Sequence, residues 1–293
     1  MNNQDLYNNL NLEALDKVFN DVLEEFNSVY ANIELNRKSL LDAISKIVLD
    51  YTVENDNLKL TDSERKKLIK QLYELIESFT SSEYKEEKKA ISKTLTDSIQ
   101  ETHNLKYYIL SIGVNTKPKK IKNDKIKNIV DRKVDSENWS DRLWTNKTDI
   151  EIQLKKDIHN LLVGNTSINK IKNIINERFS TNASNTDRLI QTEIARVQND
   201  VNENFWQEEG IKKLIYLATL DTKTCKKCQK YDGKPFDVDD NSRPQVPLHP
   251  RCRCCYVETI DDWKPLKRRD NTIIDEHIDF TDYEKWKRNL KGR

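Results

Sequence analysis

The stretch Cys225-Lys-Lys-Cys228, then Asp232-Gly233-Lys234-Pro235-Phe236, then Pro247-Leu-His249-Pro250-Arg251-Cys252-Arg253-Cys254 holds all but one of the cysteines of the chain. Two cysteines separated by two residues supply half of a tetrahedral thiolate site. A His-x-x-Cys-x-Cys run roughly twenty residues later can supply the other half. The spacing therefore predicts a structural Zn2+ held by Cys225, Cys228, His249 and Cys252. Cys254 is an alternative ligand, because it falls on the same side of an extended segment as Cys252. An all-cysteine set takes over if His249 caps a turn instead. Four protein ligands leave no open position for a substrate water, which points to structure over catalysis. Residues 220–256 contain few large apolar side chains for their length. Metal binding is accordingly expected to supply on the order of 10 kcal/mol of folding energy. Cys255 is the spare thiol. Without a metal, the reduced cysteines pack as small hydrophobes. A redox Cys-x-x-Cys belongs at a helix start in a βαβ context, whereas this pair follows a strand and precedes a turn.

Working back toward the N-terminus, Leu214-Ile-Tyr216-Leu-Ala218 has strand composition and leads into the cysteines, with Asp221 placed to satisfy the turn. Asp232-Gly233 reads as a tight hairpin turn between short strands. Gly210 suits the left-handed position after a helix, and the helix it closes is expected to begin near Ser184. Ile190, Ile194, Val197, Val201 and Phe205 share one face of it; Arg188, Thr192 and Arg196, four apart, line another, with Glu193 beside them. A helix surface shows such ion pairs for solubility alone.

Residues 12–113 contain no Pro, and no Gly before Gly113, and apolar residues recur three and four apart, which predicts a helical bundle. Thr61-Asp-Ser-Glu64 is a capping box that opens one of its helices, and a further helix is expected from about Tyr84. Gly113-Val-Asn-Thr-Lys-Pro118-Lys-Lys interrupts this pattern with a basic, Pro-marked stretch. Lys117, Lys119 and Lys120 there are candidates for phosphate contact, set against a solvated linker. Helical periodicity resumes around Trp139, turns at Gly164 and continues through Ile171 and Ile175.

The 293 residues carry 50 Lys and Arg against 49 Asp and Glu, so the field of the whole molecule does not announce a nucleic-acid binder and only local patches can. Arg251 and Arg253 alternate with the cysteines, and Lys267, Arg268 and Arg269 open a basic and aromatic tail; both are candidate DNA- or partner-binding groups. The alternative for the tail is a terminus that orders only against a neighbour. A polar start and the lack of an apolar run long enough to span a bilayer predict an intracellular protein without a membrane segment.

Arg188-Leu-Ile-Gln-Thr192-Glu193-Ile-Ala-Arg196, the helix end at Gly210, Ala218-Thr-Leu-Asp221, the Cys225 pair, Asp232-Gly233-Lys-Pro-Phe and the His249 run occur in an order that resembles the phage Mu F-like head morphogenesis family. The resemblance covers roughly residues 139–257. It implies a minor head (minor capsid) protein of a tailed phage, at low copy number, in the virion at the head interior or portal vertex. It further implies assembly in the host cytoplasm and association with the portal protein, the phage double-stranded DNA and the scaffold or major capsid protein. A non-enzymatic role in head assembly or DNA packaging follows from the same resemblance. The competing classes are a zinc-dependent nucleic-acid enzyme (nuclease or transferase) and a cytoplasmic DNA-binding module. A deaminase is disfavoured because the Cys-x-x-Cys precedes the histidine and no Glu stands two residues after His249.

The expected architecture is α+β and mostly α-helical, with a small C-terminal zinc-stapled β unit. Its expected segments are a helical region (1–113), a basic linker (114–135), a helical core (136–210), the zinc-knuckle β unit (211–262) and the tail (263–293).

Overall fold

Apolar residues spaced three and four apart along stretches free of Gly and Pro leave little choice but long helices, and the computed structural model is built mainly of them. It describes residues 26–113, 119–219, 222–259, 267–270 and 276–279, with scattered positions in 10–21 and at 285 and 288. The chain divides into two compact units, one from residues 23–93 and 133–190, the other from residues 1–22, 94–132 and 191–293.

The first unit is helical. It contains α1 (Asn27–Asp50), a short hairpin of β1 (Val53–Glu54) and β2 (Asn57–Leu58), the start of α2 (Asp62–Gly113), α4 (Trp139–Leu162) and the start of α5 (Ile168–Glu208). The hairpin turns at Asn55-Asp56, both with positive φ (48° and 62°), the backbone that a two-residue turn matched to strand twist requires. Asp56 then reaches the opening of α5, its Oδ1 accepting from the Asn169 amide at 3.2 Å. The Thr61 capping box is present: Glu64 accepts from the Thr61 amide at 2.8 Å, and Thr61 Oγ1 from the Glu64 amide at 3.3 Å. Asn138 and Asp141 form a second box at the start of α4. The core is the expected set of stripes, with Leu40, Ile76, Leu154, Ile158 and Ile175 among the side chains fully removed from water.

Two helices are longer than their sequences suggest. α2 runs 52 residues through Tyr84, and α5 runs 41 residues through Ser184, where separate helices were expected. Polar runs look like caps when read alone. Here, however, Thr80 returns its hydroxyl to the Ile76 carbonyl at 2.9 Å, while Asn182 and Thr186 project into a buried polar cluster. Asn182 and Thr186 make their hydrogen bonds sideways to Glu83 and Glu87, and Thr80 bonds back to a carbonyl of its own helix, so none of them caps a helix end.

The second unit joins the end of α2, the short amphipathic α3 (Asn123–Val130) and the later part of α5 to a three-stranded antiparallel sheet. The strand order is β4 (Pro235–Asp237), β3 (Lys213–Leu217), β5 (Cys255–Thr259), with Leu214 opposite both Phe236 and Glu258. β6 (Lys267–Asp270) and β7 (Glu276–Asp279) form a separate hairpin. Gly210 takes the left-handed backbone (φ 67°) and the Ile211 amide bonds back to the Trp206 carbonyl at 2.9 Å, which ends α5 as a Schellman turn and aims the chain into β3. The core of this unit gathers Tyr107, Phe205, Trp206, Tyr216 and Tyr256 with Cys228, Cys252 and Cys254. Under it lies a buried ion pair, Lys106 Nζ to Glu258 Oε1 at 2.7 Å, to which the Trp206 indole also donates at 2.9 Å.

Candidate metal centre

The connection from β3 to β4 carries the first cysteine pair. Cys225 is the N-cap of a single turn, α6 (Lys226–Gln229), and its Sγ accepts from the Cys228 amide at 3.5 Å. The pair thus sits at the opening of a helical turn, where only a turn was expected. Asp232-Gly233 does not make the expected two-residue hairpin: residues 218–234 all lie between the paired strands. Gly233 (φ 72°) instead lets the chain fold back so that its amide reaches the Tyr216 carbonyl at 2.9 Å. Asp232 Oδ1 meanwhile accepts from the Ala218 amide at 2.8 Å. Asp221 lies outside the described residues.

The return segment before β5 brings the second half of the set. Cys228 Sγ lies 3.2 Å from His249 Nε2 and 3.8 Å from Cys252 Sγ. Two triads, Cys225–Cys228–His249 and Cys228–Cys252–Cys254, each have their ligand atoms within 4.8 Å of one another, and Cys228 belongs to both. Sulfurs about 2.3 Å from one tetrahedral zinc stand about 3.8 Å apart, so the Cys228–Cys252 separation has the length of such an edge. The Nδ1 of His249 is 2.8 Å from the Pro250 carbonyl. That partner calls for the proton on Nδ1 and leaves Nε2, the nitrogen facing Cys228, as the lone pair for a metal. The other face of the cluster carries Tyr216, whose buried hydroxyl has no oxygen or nitrogen partner and is held protonated by burial, then by the charge of Cys254.

The thiols and the imidazole are shifted in different directions. Hydrogen bonds with Cys228 and then Cys254 push the Cys252 thiol far down, while the bond to Cys252 and then that to Cys254 push Cys228 up. Burial works against ionisation at Cys225, yet the Cys228 amide still leaves that thiol below its ordinary value. Burial would also depress the His249 imidazole; the Pro250 carbonyl and the sulfurs of Cys252 and Cys225 raise it instead. The two triads could hold a metal ion, and a Cys/His donor set of this kind fits zinc. Cys255 lies apart, packed beside Ile215, Leu217 and Val257.

The other sequence-selected residues are dispersed. Glu193 and Arg196 are buried rather than lying on a helix surface: Arg196 donates to Glu193 at 2.6 Å, to Asp200 at 2.9 Å and to the carbonyls of Ile129 and Val130, thereby holding the C-terminus of α3. Thr192 Oγ1 accepts from the Arg251 amide at 3.0 Å, which ties α5 to the return segment; Arg251 has positive φ (60°). Arg188 is exposed on α5. Lys119 pairs with Glu209 at 2.7 Å and Lys120 is exposed; Lys117 lies outside the described residues. Arg251 and Arg253 are exposed, and Lys267, Arg268 and Arg269 form part of β6.

Sequence reading missed a second polar cluster. Lys147 of α4, 2% exposed, donates to Glu83 at 3.0 Å, to Glu87 and to Asn182 at 2.9 Å. Thr186 donates to Glu87 at 2.9 Å and Asn36 of α1 to Glu83 at 2.8 Å. The available signal was a lysine at a position where the α4 stripe calls for an apolar residue, between Leu143 and Ile150.

Residues 152–257 match the family described as Phage Mu protein F like protein, a span that contains every donor of the two triads. A curated relative, the NAD(+)-arginine ADP-ribosyltransferase EFV of Enterococcus faecalis, is 29% identical over 182 residues, 57% of this chain and 37% of that protein. The chain thus spans well under half the length of that relative. No solved structure matches. Among the described residues no helix is long and apolar enough to cross a membrane.

Proposed function

We propose that a chain with a Phage Mu F-like region at residues 152–257 is a minor head protein of a tailed phage, present at low copy number at the portal vertex. Its β unit is stapled by a structural zinc. The observation that carries this reading is that the family match contains all five donors of the two triads: the region that relates the chain to phage proteins is also the region that gathers the candidate ligands. Cys225, Cys228, His249 and Cys252 would hold the metal, with Cys254 and Tyr216 bracing the sulfurs. The zinc would neutralise their charge and join the β3–β4 connection to the segment before β5. With four protein ligands the site performs no turnover. The partners proposed are the portal protein and neighbouring head proteins.

The test is quantitative mass spectrometry of purified heads from the parent phage, with metal analysis of the isolated protein. A few copies per head and one zinc per chain are expected; absence from heads despite abundant expression overturns the reading. A second reading, transfer of ADP-ribose from NAD+ to arginine, rests on the name of the curated relative. Release of nicotinamide from NAD+ by the purified chain, with an arginine-containing acceptor, would favour it. Metal-dependent degradation of DNA would favour the nuclease reading.

A further inference from the structure

The metal cluster brings two stretches together that the sequence keeps apart, residues 222–230 and 249–255. Between them they contain Lys223, Lys226, Lys227, Lys230, Arg251 and Arg253 and not one Asp or Glu. In a chain with 50 basic and 49 acidic residues this is a marked segregation of charge. All six are exposed. Lys227 directly precedes Cys228 and Arg251 directly precedes Cys252, and the sulfurs of those two cysteines are 3.8 Å apart, so the two basic stretches form one rim.

The geometry points to this rim as a binding surface for the phosphate backbone of nucleic acid, read without regard to sequence. Cations clustered on a fixed scaffold release counterions from a polyanion, and that release supplies the affinity. A protein partner would be expected to use an apolar centre with a charged border. The large exposed apolar side chains among the described residues, Leu35, Leu49, Val53, Tyr108, Trp144 and Ile152, all lie outside the rim. What the rim presents is charge. The inference rests on the fold of the knuckle and holds whichever metal fills it.

The probe is a labelled duplex of about 30 base pairs and arbitrary sequence, titrated with the full chain by fluorescence anisotropy. With four to six phosphates engaged, affinity should fall about 10²- to 10³-fold between roughly 50 and 200 mM salt. The double variant Lys226→Glu/Lys227→Glu should weaken binding at least about ten-fold and flatten the log–log salt slope by about 2. Lys66→Glu/Lys67→Glu, the same change of charge on exposed positions of α2, should leave both unchanged. Three results would overturn the proposal: no binding at the lower salt, equal losses in the two variants, or polyglutamate bound as tightly as the duplex. Metal content measured on each sample separates this inference from the zinc reading. A metal-free chain that still binds DNA through Lys226 and Lys227 sinks the zinc reading alone, and a metal-loaded chain indifferent to those lysines sinks this one alone.

Discussion

The sulfur cluster of the β unit and the Lys147 cluster of the helical unit each gather acidic groups out of water, and on the zinc reading they differ in where the neutralising cation comes from. In the helical unit the chain supplies it: Lys147 reaches Glu83, Glu87 and Asn182, and Asn36 and Thr186 occupy further carboxylate positions. In the β unit the donors fall into two triads, Cys225–Cys228–His249 and Cys228–Cys252–Cys254, joined at Cys228. An internal ammonium makes a cluster self-sufficient. On the zinc reading proposed above, the thiols take their cation from solution and the folding of this segment depends on it.

The largest expected effect tests that dependence. Cys228→Ser removes the sulfur common to both triads and should abolish metal binding, with loss of on the order of 10 kcal/mol of metal-linked folding energy in this segment. Metal analysis and limited proteolysis at residues 222–257 read the outcome, and a chelator should reproduce it while the helices persist. Proteolysis unaltered by both would show that the sulfurs are simply core. The matching change in the other unit, Lys147→Met, leaves two carboxylates buried without their cation and should cost about 3–5 kcal/mol in urea denaturation. Adding Glu83→Gln and Glu87→Gln to it should recover much of that loss; no recovery would place the cost in packing instead.

A smaller loss is expected for Arg196→Lys. The planar fork of Arg196 serves Glu193, Asp200 and two carbonyls of α3, and an ammonium reaches fewer of them, so about 1–3 kcal/mol should disappear from the urea stability. The smallest expected effect is one of pH. Burial lifts the Glu87 carboxyl above its ordinary value against the pull of Lys147. A raised carboxyl favours the protonated form, so its contribution is full below the unfolded-state pKa and is lost as pH climbs through the folded value. Urea midpoints taken from about pH 4 to 8 should therefore fall more steeply for the native chain than for Glu87→Gln. Parallel profiles would mean that Lys147 holds Glu87 ionised throughout.

Much of the architecture was legible because it is periodic. The stripes of α1, α2 and α4, the box at Thr61 and the left-handed Gly210 are local patterns, and each stands where the sequence places it. The two helix breaks expected near Tyr84 and Ser184 did not occur, because the polar residues there bond partners remote in sequence, such as Thr80 with Glu151 and Asn182 with Glu83. Asp232-Gly233 was readable as a turn but not as the kind of turn, since its partners are the Tyr216 carbonyl of β3 and the amide of Ala218 just beyond it.

By itself the sequence determined the candidate donor types and their spacing, the helical character of most of the chain, and the balance of its charge. Only the tertiary structure decided that Cys228 is the sulfur shared by both triads, that Glu193 and Arg196 are buried, that Lys147 holds two glutamates inside a bundle, and that the two cysteine-bearing stretches meet at Cys228 and Cys252. Spacing fixes which groups share a face of their own element, because helix and strand geometry repeat along the chain. Which faces meet is set by packing between distant segments, and burial of a charge becomes visible only when its partner arrives from elsewhere in the fold.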